Sequence, residues 1–240
     1  MIRRVGDANF QPTMWSVVLR AKDPEDPHRR TALNKLCESY WQPVYAYVRR
    51  KGMSAEDAQD ATQGFFAYFL EKGAIEKVDQ GRGRFKSFLL AYLEHWLANE
   101  HRRAGAEKRG GGAPVLSLDF GRAESEVRID PADSETPERE FRRSWGLTVL
   151  HQAFEGLRRE FDERGLRGHF EAIRAHLSAA GDRASYQQLA ERLGTSVTDV
   201  TNLLHRARKR MREIIREALR ETVEQEGDVD DELRELFESL

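Results

Sequence analysis

From residue 105 to residue 139 the sequence has no hydrophobic periodicity, and this segment constrains the fold more than any other feature. It contains the glycine triplet Gly110–Gly112 and three prolines, and Ser, Asp and Glu make up much of the remainder. Irregular connections of this length are uncommon inside one compact domain. We therefore predict two domains, at residues 1–105 and 141–220, with a flexible linker at 106–140 and an acidic C-terminal tail at 221–240.

On both sides of this linker, apolar residues recur at the three- and four-residue spacing of amphipathic helices. Charged residues make up 33% of the chain and there are only seven prolines, a composition that favours helices over a sheet. Gly52 follows three basic residues and predicts the end of one helix, and Ser54 predicts the N-cap of the next. The sequence therefore predicts an all-α fold of two small helical domains. The predicted helices cover approximately residues 13–21, 28–51, 54–72, 85–103, 141–163, 168–179 and 230–240.

Composition and motif content exclude several functional classes. The longest apolar runs are about six residues, so no segment can span a bilayer, and no apolar stretch follows the N-terminal arginines as in a signal peptide. The single cysteine, Cys37, excludes an intramolecular disulfide and a cysteine-based zinc site. No phosphate-binding glycine loop with its lysine and no catalytic constellation can be identified. We expect a cytoplasmic, non-enzymatic protein without cofactor, metal or membrane insertion.

A helix-turn-helix signal lies between residues 185 and 212, in the second domain. Ala190, Gly194 and Val200 provide the small residue, the turn glycine and the apolar contact that two crossing helices require, at spacings of four and six residues. Ser196 can cap the second helix, whose N-terminal half would then face a DNA major groove. An ordinary helical hairpin with a charged surface is the alternative. The candidate contacts to duplex DNA are Ser196, Thr198, Thr201, Asn202, His205, Arg206, Arg208 and Lys209, with Arg210 and Arg212 as further phosphate contacts.

A second candidate nucleic-acid surface lies on the helix predicted at 85–103. Phe85, Phe88, Tyr92 and Trp96 belong to an apolar stripe at helical spacing, which indicates core packing. Between residues 81 and 110, seven basic residues stand against three acidic ones. Positive charge beside aromatic rings suits a single-stranded nucleic acid, although a solvated basic face is the alternative. The candidate contacts to a melted strand are Arg82, Arg84, Lys86, His95, Asn99, Arg102 and Arg103, with Lys86 assigned to the face opposite the apolar stripe.

The C-terminal tail carries a large net negative charge. Residues 221–240 contain nine acids and one base, so the tail has a charge of −8 and residues 1–220 have +6, which sum to the net −2. A basic body with an acidic tail suggests a polyanionic partner. The tail could fold over the basic second domain and compete with DNA, or it could remain a solvated tail. Its last segment predicts a short amphipathic helix, with Leu233, Leu236, Phe237 and Leu240 on one face.

Five segments of the chain match the motifs of one protein family. They are residues 40–50, 56–66, 83–103, 185–190 and 204–210, the last of which reads Leu-His-Arg-Ala-Arg-Lys-Arg. With these motifs the chain resembles a bacterial RNA polymerase sigma factor of the small, two-domain extracytoplasmic-function (ECF) group. The resemblance covers roughly residues 13–105 and 142–218, which is most of the chain.

The resemblance implies that the chain is a transcription initiation factor, which binds core RNA polymerase and directs it to specific promoters. The helix-turn-helix would read the −35 promoter element as duplex DNA, and the first domain would stabilise the melted −10 element. Within the resemblance, one face of the helix at 54–72 is the candidate polymerase-binding surface. Its members are Asp57, Asp60, Gln63, Phe66 and Leu70.

Several residues depart from the family pattern. Gln59 and Gly64 stand where the polymerase-binding helix usually carries more acid. His95 replaces a usual asparagine, and Thr201 and Leu203 lie where the reading helix often has basic residues. Some relatives with such a depleted helix are thought to be switched by threonine phosphorylation, and Thr62 lies at the matching position, where a plain packing role is the alternative. Control by a Ser/Thr protein kinase or by an anti-sigma factor is therefore a further hypothesis about partners.

The main alternative to this interpretation is a free-standing helix-turn-helix regulator that binds duplex DNA without core polymerase. It would explain residues 185–212 but neither the basic-aromatic helix nor the long linker. Such regulators usually bind palindromic sites as dimers, so a monomeric chain would count against this alternative.

Overall fold

The computed structural model describes residues 14–79, 84–104, 119–126, 136–177, 184–220 and 229–238. Within these ranges the regular secondary structure is entirely helical, which confirms the all-α prediction. A short 3-10 helix, Ala74–Lys77, follows the third α-helix. The described α-helices are α1 (Met14–Lys22), α2 (Arg29–Arg50), α3 (Ala55–Glu71), α4 (Phe85–Ala104), α5 (Phe120–Glu126), α6 (Pro137–Glu163), α7 (Arg167–Leu177), α8 (Tyr186–Leu193), α9 (Val197–Arg220) and α10 (Val229–Glu238).

The chain divides into two compact units. The first comprises Met1–Gly146 together with Leu219–Leu240, and the second comprises Leu147–Ala218. The division falls inside α6, so the residues of this helix up to Gly146 belong to the first unit and the rest to the second. Helix α10, from the acidic tail, belongs to the first unit.

Local sequence signals define the ends of α2 and α3. Gly52 follows the C-terminus of α2 with φ of +92°, a conformation that glycine adopts without the steric cost of a Cβ. Ser54 is the N-cap of α3, because the backbone N–H of Asp57 donates to its Oγ at 3.1 Å. Both predictions are confirmed. Helix α2 continues through Pro43, which is buried.

The C-terminal half of α2 forms the centre of the first unit. Tyr40 and Tyr47 are fully buried there, and α1 and α3 both pack against this helix. Helix α3 also meets α4, where the ring of Phe65 makes an edge contact with that of Trp96 at 5.8 Å between centroids. A Cβ added to Gly64 would lie 3.4 Å from the Trp96 ring. This distance is an ordinary van der Waals contact, so the packing tolerates a Cβ at this position.

Helix α5 lies within the range assigned to the linker and packs on α2. The ring of Phe120 makes an edge contact with Trp41 at 5.2 Å and a tilted one with Tyr45 at 5.3 Å. Arg49 forms an ion pair with Glu124 at 2.6 Å, and this hydrogen-bonded partner holds the pKa of Glu124 below its usual value. The sequence does not predict this helix, because seven residues carry too little hydrophobic periodicity.

The second unit is built around the aromatic side chains of α6 and α7. Phe170 is fully buried, and its ring contacts those of Phe154 at 5.1 Å and Phe161 at 5.6 Å. Leu157 and Ile173 extend this core, against which α8 and α9 pack. The core therefore supports the helix-turn-helix from one side.

Candidate nucleic-acid interfaces

The turn between α8 and α9 has the geometry that the sequence predicted. Gly194 caps α8 in the left-handed conformation, with φ of +62°, and no atom lies near the position of its missing Cβ. The N–H of Thr195 donates to the carbonyl of Ala190 at 3.0 Å and so satisfies the end of α8. Val200 is fully buried in one core cluster with Leu189 and Ala190. The predicted small residue, turn glycine and apolar contact are therefore confirmed.

The N-terminus of α9 is closed by a reciprocal set of hydrogen bonds. The N–H of Asp199 donates to Ser196 Oγ at 3.1 Å, which confirms the predicted cap. The hydroxyls of Ser196 and Thr195 donate in turn to the Asp199 carboxylate, at 2.6 and 2.9 Å. These bonds, led by the one from Ser196, hold the pKa of Asp199 below its usual value. The carboxylate is thus a fixed negative charge at the start of the helix.

Helix α9 has one buried face and one exposed face over its N-terminal half. Val200, Leu204 and Ala207 follow one another at helical spacing and are all buried. The residues predicted to contact duplex DNA are exposed and lie on the remaining surface of the helix or at its start. These exposed residues are Ser196, Thr198, Thr201, Asn202, His205, Arg206, Arg208 and Lys209.

Two of these eight side chains already use their hydroxyl protons within the helix. Ser196 donates to Asp199, as above, and Thr201 Oγ1 donates to the carbonyl of Val197 at 2.9 Å. Neither hydroxyl can donate to a base edge without giving up that bond. Thr198, Asn202 and His205 have no such commitment among the contacts described for them. They are therefore the best placed of the eight to read bases.

The basic residues after His205 divide into two groups. Arg206 and Lys209 are exposed, and Arg208 is exposed while one of its nitrogens donates to the carbonyl of His176 at 3.2 Å. Arg210 behaves differently, because its guanidinium pairs with Glu160 of α6 at 2.7 Å. Glu213 and Glu217 also bond to Arg210, at 3.3 and 3.2 Å, and Glu160 leads the contacts that raise its pKa. The Arg210 guanidinium therefore joins α9 to α6, and a phosphate could reach it only in competition with these carboxylates.

The candidate residues of the first unit are distributed along α4. His95 is exposed and Asn99 is half-buried, and both lie on the same side of the helix at a spacing of four. Arg102 and Arg103 belong to the last turn of α4, but their side chains lie outside the described residues, as does Arg82 altogether. In the C-terminal half of α4, His95 and Asn99 thus retain the access to a partner that the predicted strand contact requires.

Lys86 lies on the buried side of α4, not opposite the apolar stripe as predicted. Leu93 lies seven residues after Lys86 and Leu97 a further four, which places the three side chains on one face. Lys86 is 4% exposed, and its ammonium lies 4.4 Å from the centre of the Trp145 ring. The same ammonium is 2.6 Å from a carboxylate oxygen of Glu232. Its assignment to a face open to solvent is therefore wrong.

Arg84, just before α4, is half-buried and faces the same tail helix. Its guanidinium pairs with the carboxylates of both Glu232 and Glu235. The two possibilities considered for the tail were contact with the second domain and a solvated tail, but α10 belongs to the first unit, where Glu232 and Glu235 meet these two cations. On α10, Leu236 is buried as expected for the apolar face, whereas Phe237 is 54% exposed.

The candidate polymerase-binding residues of α3 differ in their access to a partner. Asp60 is exposed, and Gln63 and Leu70 are half-buried. Asp57 is exposed but accepts a hydrogen bond from the Ser54 hydroxyl at 2.8 Å. Phe66 is 2% exposed and packs against Phe65, so it cannot touch a partner in this conformation.

Thr62 is fully buried on the inner side of α3. Its hydroxyl donates to the carbonyl of Ala58, one turn earlier, at 2.7 Å. A kinase would therefore have to open this turn before it could reach the oxygen. The position favours the packing role for Thr62.

Two further observations bear on the class of protein. Among the described residues, no helix combines the length and the hydropathy that a membrane crossing requires. The same residues contain no group of three or more His, Cys, Asp or Glu side chains arranged to hold a metal ion.

Comparison with known proteins identifies one segment of the chain. Residues 181–211 match the family described as Sigma-70, region 4, a range that includes α8, the Gly194 turn and most of α9's exposed face. No curated protein and no solved structure matches the chain. The helix-turn-helix of this chain is therefore similar to sigma-70 region 4, and this similarity supports a sigma-70 family factor.

Proposed function

We propose that the chain is a transcription initiation factor that binds core RNA polymerase and directs it to specific promoters. It would be a small, two-domain factor of the extracytoplasmic-function group, acting in the cytoplasm without enzymatic activity of its own. One observation carries the proposal. The side chains predicted to contact DNA are exposed on α9, away from its buried face, within the segment that is similar to sigma-70 region 4.

The second unit would bind the −35 element as duplex DNA. The amide of Asn202 can form two hydrogen bonds with an adenine edge in the major groove, and His205 lies one turn further along the same face. Arg206, Arg208 and Lys209 would neutralise phosphates, which adds affinity without reading sequence. The fixed charge of Asp199 at the start of α9 would keep phosphates away from that end.

The first unit would stabilise the melted −10 element along α4. His95 and Asn99 would contact unpaired bases, and Arg102 and Arg103, on the last turn, would meet the backbone. In this proposal Arg84 and Lys86 contribute only after they lose their present carboxylate partners. The open strands would then be held by charge and by ring contacts together.

The polymerase contact would involve α3. Asp60, Gln63 and Leu70 retain access to a partner. The exposed carboxylate of Asp57 lies in the first turn of α3 and is also accessible. Two of these four residues are acids and one is apolar, so we expect a contact of mixed polar and apolar character. An anti-sigma factor or a Ser/Thr kinase as an additional partner remains a hypothesis.

A binding experiment separates this function from that of a free-standing helix-turn-helix regulator. Purified chain is mixed with core RNA polymerase and the mixture is resolved by size, while a second sample is titrated with genomic promoter duplexes without polymerase. The proposal predicts a complex with core and weak binding of duplex alone. Tight duplex binding by a dimer, with no complex with core, would establish the alternative. A phosphomimetic Thr62→Glu chain that alone binds core would point to the kinase hypothesis.

A further inference from the structure

The inner face of α10 is composed of both apolar and acidic side chains. Val229, Glu232 and Leu236 are spaced by three and four residues and are all buried, at 2%, 0% and 1% exposure. Burial of two apolar side chains favours the docked position by the hydrophobic effect. Burial of the Glu232 carboxylate disfavours the docked position of α10 unless cations neutralise its charge.

The cations that neutralise Glu232 are Arg84 and Lys86. Lys86 approaches one carboxylate oxygen at 2.6 Å and Arg84 pairs with the other. Glu235 reinforces the contact, because it accepts a hydrogen bond from Arg84 and lies 3.4 Å from the Lys86 ammonium. Two glutamate carboxylates therefore face two basic side chains at the N-terminal end of α4.

A nucleic acid that used the Arg84 guanidinium and the Lys86 ammonium would compete with α10 for them. A phosphate needs the same charge and the same donors that a glutamate carboxylate uses. While α10 is docked, Lys86 has almost no exposed surface and both cations are neutralised. A melted strand could engage them only after α10 leaves.

The geometry points to an autoinhibitory role for α10: the acidic helix occupies part of the single-strand surface of the first unit and must leave before a strand binds there. This inference rests on the proposed function, since it concerns the regulation of the −10 surface. The free chain would be held in a closed state, and an event that displaces α10, such as binding of the melted strand in the polymerase complex, would open it. The apparent affinity of the free chain would be lowered by the fraction of open molecules.

The test compares three forms of the full chain for binding to a fluorescein-labelled single-stranded DNA of mixed sequence, about 20 nucleotides long, which exceeds the site of a small single-strand-binding fold. The double variant E232Q/E235Q removes the two docking charges with little change in shape. The control variant D231N/E238Q removes two exposed charges from the same helix. Asp231 pairs with Arg234 inside α10 at 2.8 Å, so the control leaves the docking contacts intact.

We expect E232Q/E235Q to bind the strand about tenfold more tightly than wild type, as for a wild-type chain that is open in about one molecule in ten. The slope of log affinity against log salt should be steeper for E232Q/E235Q than for wild type, because salt weakens the docking ion pairs of wild type and so raises its open fraction. The control D231N/E238Q should show neither change. Equal affinities and slopes for both variants would overturn the inference.

Amide hydrogen exchange of residues 229–238 supplies the second readout. Wild-type α10 should be protected in the free chain and should lose protection when the oligonucleotide is added. If α10 stays protected in the DNA-bound wild type, strand and helix do not compete and the inference is wrong. If E232Q/E235Q stays protected, a chain ending at residue 228 removes the helix outright, and its affinity for the oligonucleotide should rise in the same way.

The result can also be separated from failure of the proposed function. Equal affinities of all forms for the strand, together with complex formation with core polymerase, would refute only the autoinhibitory role. No binding to core or to either form of DNA by any variant would refute the proposed function as well.

Discussion

The ammonium of Lys86 and a carboxylate oxygen of Glu232 lie 2.6 Å apart, and both side chains are buried. Lys86 lies in the first turn of the predicted strand-binding helix, and Glu232 belongs to the acidic tail. Removal of only one member of such a buried ion pair destabilises the docked state, because the other member is left buried without a counter-charge. The pair therefore connects the stability of the first unit with access to the surface that is proposed to bind a melted strand.

We predict that Lys86→Met and Glu232→Met each destabilise the first unit by about 1 kcal/mol, because α10 can undock when one partner is lost and a docked state favoured about tenfold contributes about 1.4 kcal/mol. The double variant K86M/E232M should lose clearly less than the sum, since no charge is left unpaired. Urea unfolding with pulse labelling of the single cysteine measures this. Additive losses would show that the two charges do not depend on each other.

Cys37 should be unreactive in the folded chain. Its burial, with a smaller contribution from the Glu38 carboxylate, raises the pKa of the thiol to about 12. At pH 8 about one thiol in ten thousand would then be ionised, and only the thiolate reacts. Alkylation with iodoacetamide should be negligible in buffer and complete in strong urea. Rapid labelling of the native chain would contradict the burial of this residue.

Two glycines of the second unit should respond to alanine in opposite directions. Gly194→Ala places a Cβ on a residue with φ of +62° and should cost about 1 kcal/mol, although no atom obstructs the new carbon. Gly168→Ala, in α7 with an ordinary φ and equally open space, should stabilise by about 0.5 kcal/mol. Thermal unfolding of the two variants measures both signs. A loss at Gly168 as large as that at Gly194 would refute the backbone explanation.

Base-reading and phosphate-binding residues of α9 should differ in their salt response. Asn202→Ala should cost about 1–3 kcal/mol on a preferred duplex and relax the choice of base at one position. Lys209→Ala should weaken all duplexes similarly and reduce the salt slope by about 0.9. Titration of the polymerase complex against duplex variants measures both. A sequence-dependent loss for Lys209→Ala would reverse the assignment of roles.

Docking of α10 should weaken in acid. Burial alone would raise the pKa of Glu235, but Lys86 and Arg84 outweigh it and hold the pKa below the usual value. A carboxyl with a lowered pKa in the folded state stabilises that state above its unfolded pKa, about 4.3, and loses the contribution as pH falls below it. Amide exchange of α10, corrected for intrinsic rates, should therefore accelerate below about pH 4. In Glu235→Gln this dependence should be reduced.

The sequence predicted those parts of the fold that local signals define. The turn glycine Gly194, the caps at Ser54 and Ser196 and the inward position of Val200 all depend on a few neighbouring residues. Most of the helices are longer than two turns and show clear apolar spacing. Helix α5 is too short for that signal, and its packing depends on α2.

The surfaces were harder to predict, because a charged residue can face water, a ligand or a distant part of the chain. The burial of Lys86 follows from its spacing to Leu93 and Leu97, a signal that was present in the sequence. Its partner Glu232 follows only from the tertiary fold. Arg210 stands in a basic run, yet Glu160 of another helix neutralises it.

The central claim is that this chain selects promoters for core polymerase. The most direct measurement maps the 5′ ends of transcripts made in vitro by core enzyme on fragmented DNA from the source genome, with and without the chain. We predict new start sites that share a motif near position −35 and that disappear with the double variant N202A/H205A. Identical 5′ ends in the presence and absence of the chain would contradict the account.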